Sequence, residues 1–218
     1  MSSPGSPAGF VREGRASDAP ALARVQVASW RTTLGGLVPD EVLSELSGEA
    51  VVEQFGDRWR EAITSPPTSR HKVLVAYAPG VIAEPVGFAS IGPATDEDRW
   101  PGTDGELYEL HVLPGGGSGG ESTGGHAGRL LHAAADTLAD DGFHTACAWV
   151  LAADADRLDF LTAAGWAPDG SKGNLDMGVK VPVLRLHTLL AEGKTPLDPR
   201  LRGKTLSGRR VGGSVWHR

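Results

Sequence analysis

Residues 110–131 read LHVLPGGGSGGESTGGHAGRLL, and eight of the fourteen residues from Gly115 to Gly128 are glycine. Such a stretch is either a linker between two domains or a loop kept bare so that a ligand can lie against its backbone. What flanks it decides between them. "ELYELHVLP" before it has strand character and stops at Pro114. After it, Ala127, Leu130, Leu131, Ala134 and Leu138 recur at helical spacing and end near Gly142. The glycines thus sit at a strand-to-helix junction, which argues against a linker.

Working outward, "FVREGRASDAPALARVQVASWRTTL" predicts a short strand and then a helix. Asp18 is its expected N-cap, Pro20 lies in the first turn, and Leu22, Val25 and Ala28 form a core face. Further helical pieces follow "LVPDEVLSEL" and span roughly 49–63, where "SPPTS" stops the last of them. The period then changes. "HKVLVAYAPG" and "PVGFASIGPA" are short β-type runs that suggest a meander. "FHTACAWVLA" predicts a strand, "DADRLDFLTAAG" a helix closed by Gly165, and "LDMGVKVPVLRLHTLL" a last strand or pair of strands. The order predicts one mixed α/β (α+β) domain over 10–190, with a mainly antiparallel sheet flanked by helices and one strand–helix–strand crossover. Residues 1–9 are expected to be a disordered lead-in and 191–218 a basic tail.

Composition bounds the function classes. The chain has 218 residues, 40% hydrophobic and 22% charged, as an ordinary globular protein does. No apolar run is long enough for a membrane span. A lone Cys147 allows no internal disulfide and fits a reducing cytoplasm. The seven histidines are scattered, and His126 and His132 fall on different faces of a helix, so no metal site is expected. From Ala191 onward seven Lys/Arg face two Asp/Glu, a local +5, which leaves −11 on the preceding residues of a chain with net charge −6. An acidic body favours a cationic or amine partner and disfavours nucleic acid.

Three phosphate or nucleophile motifs can be tested against the loop. A Walker A loop needs a lysine, and none lies between Lys72 and Lys172. Gly115, Gly117 and Gly120 match the dinucleotide fingerprint in form, but "ESTGG" intervenes before the helix. Ser118, flanked by Gly116 and Gly120, matches a nucleophile elbow, yet a long loop follows it in place of a tight turn. An anion cradle at the helix N-terminus survives this test, as does a bare mobile loop.

The second half of the loop, Ser122-Thr-Gly-Gly-His-Ala127-Gly-Arg-Leu-Leu131, resembles motif A of the GNAT superfamily of acyl-CoA-dependent N-acyltransferases. That pattern is Gln/Arg-x-x-Gly-x-Gly/Ala before a helix with paired leucines. Gly125 and Ala127 take its small positions, and Ser122 departs from its Gln/Arg. "VREGRASDAPALARV", "VGFASIGP", "GELYELHVLP" and "AWVLAADADRLDFLTAAGWAPDG" resemble the family's remaining elements.

The resemblance implies acetyl transfer from acetyl-CoA, as co-substrate, to a primary amine on a small molecule, a protein N-terminus or a lysine. It implies a pyrophosphate cradle from the backbone of Ser122, Thr123, Gly124, Gly125, His126 and Ala127, with Asp154 where the family often has an asparagine touching the cofactor. It implies a backbone N–H at Val112 or Leu113 to polarise the thioester carbonyl. The amine must lose a proton, for which a carboxylate is the natural base; the candidates are Glu106, then Glu109, and then the imidazole of His111. The family's Phe-Tyr pair, whose tyrosine protonates the thiolate, is Phe160-Leu161 in this chain, so that donor is missing. Ser122 and Leu161 keep open a second reading, a non-catalytic acyl-CoA-binding protein on the same fold. Trp30, Trp149 and Trp166 are expected as core or cleft wall, and a homodimer stays open.

Overall fold

The computed structural model describes residues 9–78, 84–114 and 125–190. The expected lead-in, the first part of the glycine run and the basic tail fall almost wholly outside the described residues. The chain begins with β1 (Phe10–Glu13), a 3-10 turn (Ala16–Asp18), α1 (Ala19–Thr33), α2 (Asp40–Glu45) and α3 (Glu49–Thr64). The meander β2 (Lys72–Tyr77), β3 (Pro85–Pro93) and β4 (Asp104–Val112) follows. Then come α4 (His126–Asp140), β5 (Thr145–Leu151), α5 (Ala155–Ala163), β6 (Ala167–Asp176) and β7 (Lys180–Leu189).

The strands form one seven-stranded sheet in the order β1-β2-β3-β4-β5-β7-β6. Neighbours are antiparallel except β4 and β5, the parallel pair that the α4 crossover joins. A parallel pair needs a crossover connection, and the helix after the glycines supplies it. The last segment resolves into two strands, with β6 starting before the stretch expected to hold it.

Each face of the sheet carries its own core. On one, α4 buries the expected stripe of Ala127, Leu130, Leu131, Ala134 and Leu138 against Leu107, Leu110 and Leu186, with Leu161 of α5 in the same cluster. On the other, α1 and α3 pack Leu22, Val25, Phe55 and Trp59 over Val75 and Phe88. The burial of a side chain such as Leu130 is worth about 1.5–3 kcal/mol. Both predicted helix stops sit in the left-handed region, Gly142 at φ +83° and Gly165 at φ +86°, where a Cβ is penalised.

Asp18 stands at the N-cap of α1 as expected, but without a side-chain capping bond. Its carboxylate accepts instead from Arg12 at 2.9 and 3.0 Å, from the Tyr77 hydroxyl at 2.6 Å and from the Arg15 amide at 2.8 Å. Burial works to raise its pKa, but these donors outweigh it and hold the carboxyl below its usual value. The Tyr77 hydroxyl is pushed up to about 12 by burial and by that carboxylate. A polar knot of tertiary origin thus took the residue away from its local role.

Candidate active site

Two irregularities in β4 make the site. The first is an extra residue: Ser90 pairs with Glu109 and Ile91 with Leu107, so the register skips Tyr108, whose hydroxyl donates to the Pro93 carbonyl of β3 instead. Alternation would otherwise put Leu107 and Leu110 on opposite faces, yet both lie in the core under α4. The bulge therefore brings Glu109 and His111 onto the α1 face, the face to which alternation assigns Glu106.

The second is a divergence. β4 and β5 pair only at Asp104–Thr145, Gly105–Ala146 and Glu106–Cys147, after which β5 stays with β7 and leaves β4. The gap opens into a cavity of about 690 Å³, lined by Glu106–His111 on one side and Ala148–Leu151 on the other. Ser29 and Trp30 of α1 and Asp154, Arg157 and Leu161 around α5 also line it.

The amide directions along β4 follow from one hydrogen bond. The Leu113 N–H donates to the Val86 carbonyl at 2.9 Å, so it is already engaged with β3. Successive amides point to opposite edges of a strand. The Val112 N–H, and that of Leu110 two residues earlier, therefore face the gap. Of the two amides expected to polarise a carbonyl, that of Val112 faces the gap and that of Leu113 does not; the Leu110 amide faces it as well.

Beneath the cavity floor runs a buried polar chain. The Trp59 indole donates to Gln26 Oε1 at 2.9 Å, and Gln26 Nε2 donates to Glu109 Oε2 at 2.8 Å. Because an indole N–H can only donate, it fixes which way the Gln26 amide points. The same carboxylate oxygen lies 3.1 Å from His111 Nε2, and His111 Nδ1 lies 3.0 Å from the Ser29 hydroxyl. Burial raises the pKa of Glu109, and His111 offsets part of that. Glu106 is only 2% exposed, and its Oε2 accepts from both the amide and the hydroxyl of Thr95, each at 3.0 Å.

At the other end of the loop, Ser122, Thr123 and Gly124 lie outside the described residues. Gly125 is the N-cap of α4 with no side-chain cap, and His126 and Ala127 open the helix. The first amides of a helix have no intrahelical acceptor, so this end offers N–H groups to an anion. The His126 ring contacts Arg129 at 2.7 Å, and burial, then the Arg129 charge, lower its pKa. Asp154 caps α5 by accepting from the Arg157 amide at 3.0 Å. Burial lowers the Arg157 pKa against the pull of Asp154. Phe160 packs at the edge of the core, while Leu161 is buried and lines the cavity. Trp166 is core, whereas Trp30 and Trp149 are cavity wall.

Sequence reasoning missed Gln26 and Ser29. The signal was there: both fall on the apolar face of α1 at the spacing of Leu22 and Val25, where a polar residue needs a buried partner. It also missed Arg185, which reaches Asp96, Asp98, Asp169 and Ser171 beside Trp149. Those partners are far apart in sequence, so no local pattern betrays them.

The chain is 34% identical over 142 residues to the uncharacterized N-acetyltransferase YuaI of Bacillus subtilis (strain 168), covering 65% of this chain and 70% of that one. The chain belongs to the GNAT superfamily of N-acetyltransferases. Its fold is similar to that of PaiA N-acetyltransferase from Thermoplasma acidophilum, solved with coenzyme A, at TM-score 0.58 and 16% identity over 82% of this chain and 98% of that one. It is also similar to YncA, a putative acetyltransferase from Salmonella typhimurium solved with acetyl-CoA, at TM-score 0.59 and 17% identity over 86% and 97%. No protein-family model matches the chain. Among the described residues, no helix is long and apolar enough to cross a membrane.

Proposed function

We propose that the protein acetylates a primary amine, with both substrates held together across the β4–β5 gap. The observation that carries this reading is the gap itself, which opens a cavity directly onto the Glu109–His111 pair. Acetyl-CoA supplies the acetyl group as a thioester. The α4 amides of His126 and Ala127 would hold its pyrophosphate, and those of Leu110 and Val112 would orient and polarise its carbonyl.

An aliphatic amine is an ammonium at neutral pH and must lose a proton before attack. Glu109 is the base this geometry favours over Glu106, because His111 links its carboxylate to the Ser29 hydroxyl, whereas Glu106 Oε2 accepts from Thr95. With Glu109 ionised, His111 Nε2–H donates to it and His111 Nδ1 accepts from the Ser29 hydroxyl. The proton then passes from the amine to the Ser29 oxygen, from Ser29 to His111, and from His111 to Glu109. Burial makes that carboxylate a stronger proton acceptor than an exposed glutamate.

Leu161 favours the second reading, acyl-CoA binding without turnover, because it leaves no proton donor at that point of the cavity wall. Arg157, one turn earlier and on the same wall, would steady a departing thiolate by charge. Calorimetric titration with acetyl-CoA, followed by free-thiol release with a panel of amines, separates the two. Binding with amine-dependent thiol release supports the enzyme; binding without it supports the second reading.

A further inference from the structure

The two cores place the two substrates on opposite faces of the sheet. The N-terminus of α4 lies on the face that α4 and α5 cover, so the thioester reaches the gap from there. The amine must come from the other face, through the half of the cavity that α1, α2 and α3 enclose. That half has an uneven lining. At the sheet stand Glu106, Glu109 and His111. At the solvent mouth are exposed Glu45, Gln54, Arg58 and Asp176. Between them the wall carries no charge and is apolar except for Thr33: Trp30, Leu34, Val42, Leu46, Val51 and Phe55.

The aromatic part of this wall begins beside the base. Trp30 meets Phe55 edge to face at 5.1 Å and 86°, and its ring lies 6.5 Å from that of His111. A cation is welcome only at the inner end, and a second charge a few carbons away would be stripped of water among Trp30, Leu34 and Val42. The cavity volume of about 690 Å³ is that of a small-molecule site.

We infer that the acceptor is a small monoamine whose single amino group is joined by a short spacer to an aromatic or branched aliphatic body. This rests on the acetyl-transfer reading and narrows it. The ammonium enters first and meets Ser29 and the Glu109–His111 pair. The body fills the corner between Trp30 and Phe55 and displaces water from it. A diamine of similar reach is rejected because its second ammonium finds no partner in the middle of the wall.

The test compares kcat/KM for 2-phenylethylamine, 3-methylbutylamine and 1,4-diaminobutane on the full chain, with acetyl-CoA binding measured separately by calorimetry. The two monoamines are expected to exceed the diamine by about tenfold or more, the scale on which apolar pockets discriminate. In the Val42→Glu variant, which places a carboxylate in the middle of the wall, the preference should shrink or reverse while acetyl-CoA affinity stays unchanged. A thermal melt checks its folding, and the panel on the unaltered protein does not depend on it. Acetyl transfer that runs equally well or better to the diamine overturns the inference and leaves acetyl transfer standing. Binding of acetyl-CoA with no transfer to either monoamine also overturns it. Failure to bind acetyl-CoA at all overturns the reading beneath it.

Discussion

Replacing Arg185 with Met tests whether a buried ionic cluster holds the wall of the active site in place. The guanidinium is 2% exposed and donates to Asp96 at 2.8 Å, Asp98 at 2.7 and 2.6 Å, Asp169 at 2.7 Å and Ser171 at 2.8 Å. Burial opposes its charge, but the hydrogen bonds to Asp98 and Asp96 and the field of Asp169 win and raise its pKa. Met fills much of the volume and removes every donor. Asp96 keeps the Trp149 indole, and Asp169 keeps Arg99 and the Ser171 amide; Asp98 loses both of its Arg185 contacts. Stranding buried carboxylates in this way costs about 3–5 kcal/mol. For a 218-residue chain that is a fall in melting temperature of roughly 6–20 °C. The loss must also depend on pH. Asp98 titrates below its usual value of 3.8, chiefly through the Arg185 hydrogen bond. Asp169 is depressed as well: burial would raise it, but the Ser171 amide and Arg185 outweigh that. A depressed carboxylate contributes stability above its unfolded pKa and loses it as pH falls through the folded value. The melting gap between the two proteins is therefore widest at neutral pH and closes as the solution is taken below 3.8. Scanning calorimetry across that range reads it. An equal gap at both ends, or a neutral-pH gap within about 2 °C, would refute the assignment of an interacting buried cluster.

Glu109→Gln should lower kcat by about a hundredfold or more, the usual share of a general base, with acetyl-CoA affinity unchanged. Its stability should not fall at neutral pH. A carboxyl whose folded pKa is raised contributes stability below its unfolded pKa and loses it as pH rises through the folded value, so an amide removes a neutral-pH penalty. A melt and a steady-state rate on the same sample check both. The pH profile of kcat/KM for the unaltered protein should rise with pH through a point above the ordinary glutamate value. Gly125→Glu sets a carboxylate at the N-cap of α4, where it favours the helix and repels a pyrophosphate. Acetyl-CoA affinity should drop about tenfold or more with the melting temperature held; an unchanged affinity would remove this helix end from the cofactor site.

Much of this architecture was already legible along the chain. The α4 stripe from Ala127 to Leu138, the stops at Gly142 and Gly165, and the change from helical to strand period after Ser69 are local signals. They report which face of an element meets a core, and that is a property of neighbouring residues. The resemblance to the family was carried by Gly125, Ala127 and the paired leucines together with the flanking elements. The roles within the site were not legible. The sequence ranked Glu106 ahead of Glu109 and His111, and strict alternation would separate Glu106 from both. Only the extra residue at Tyr108 brings them to one face, and a bulge is set by the fit of β3 against β4. The same holds for the amides of Val112 and Leu113, which differ only in the strand edge each one faces. Gln26, Ser29 and Arg185 acquire their partners across 83, 82 and as many as 89 residues of chain. A buried polar group is stable only where the folded chain supplies its partner. Local sequence therefore marked the elements and the resemblance, and tertiary packing chose which carboxylate lies against His111 and, through it, Ser29.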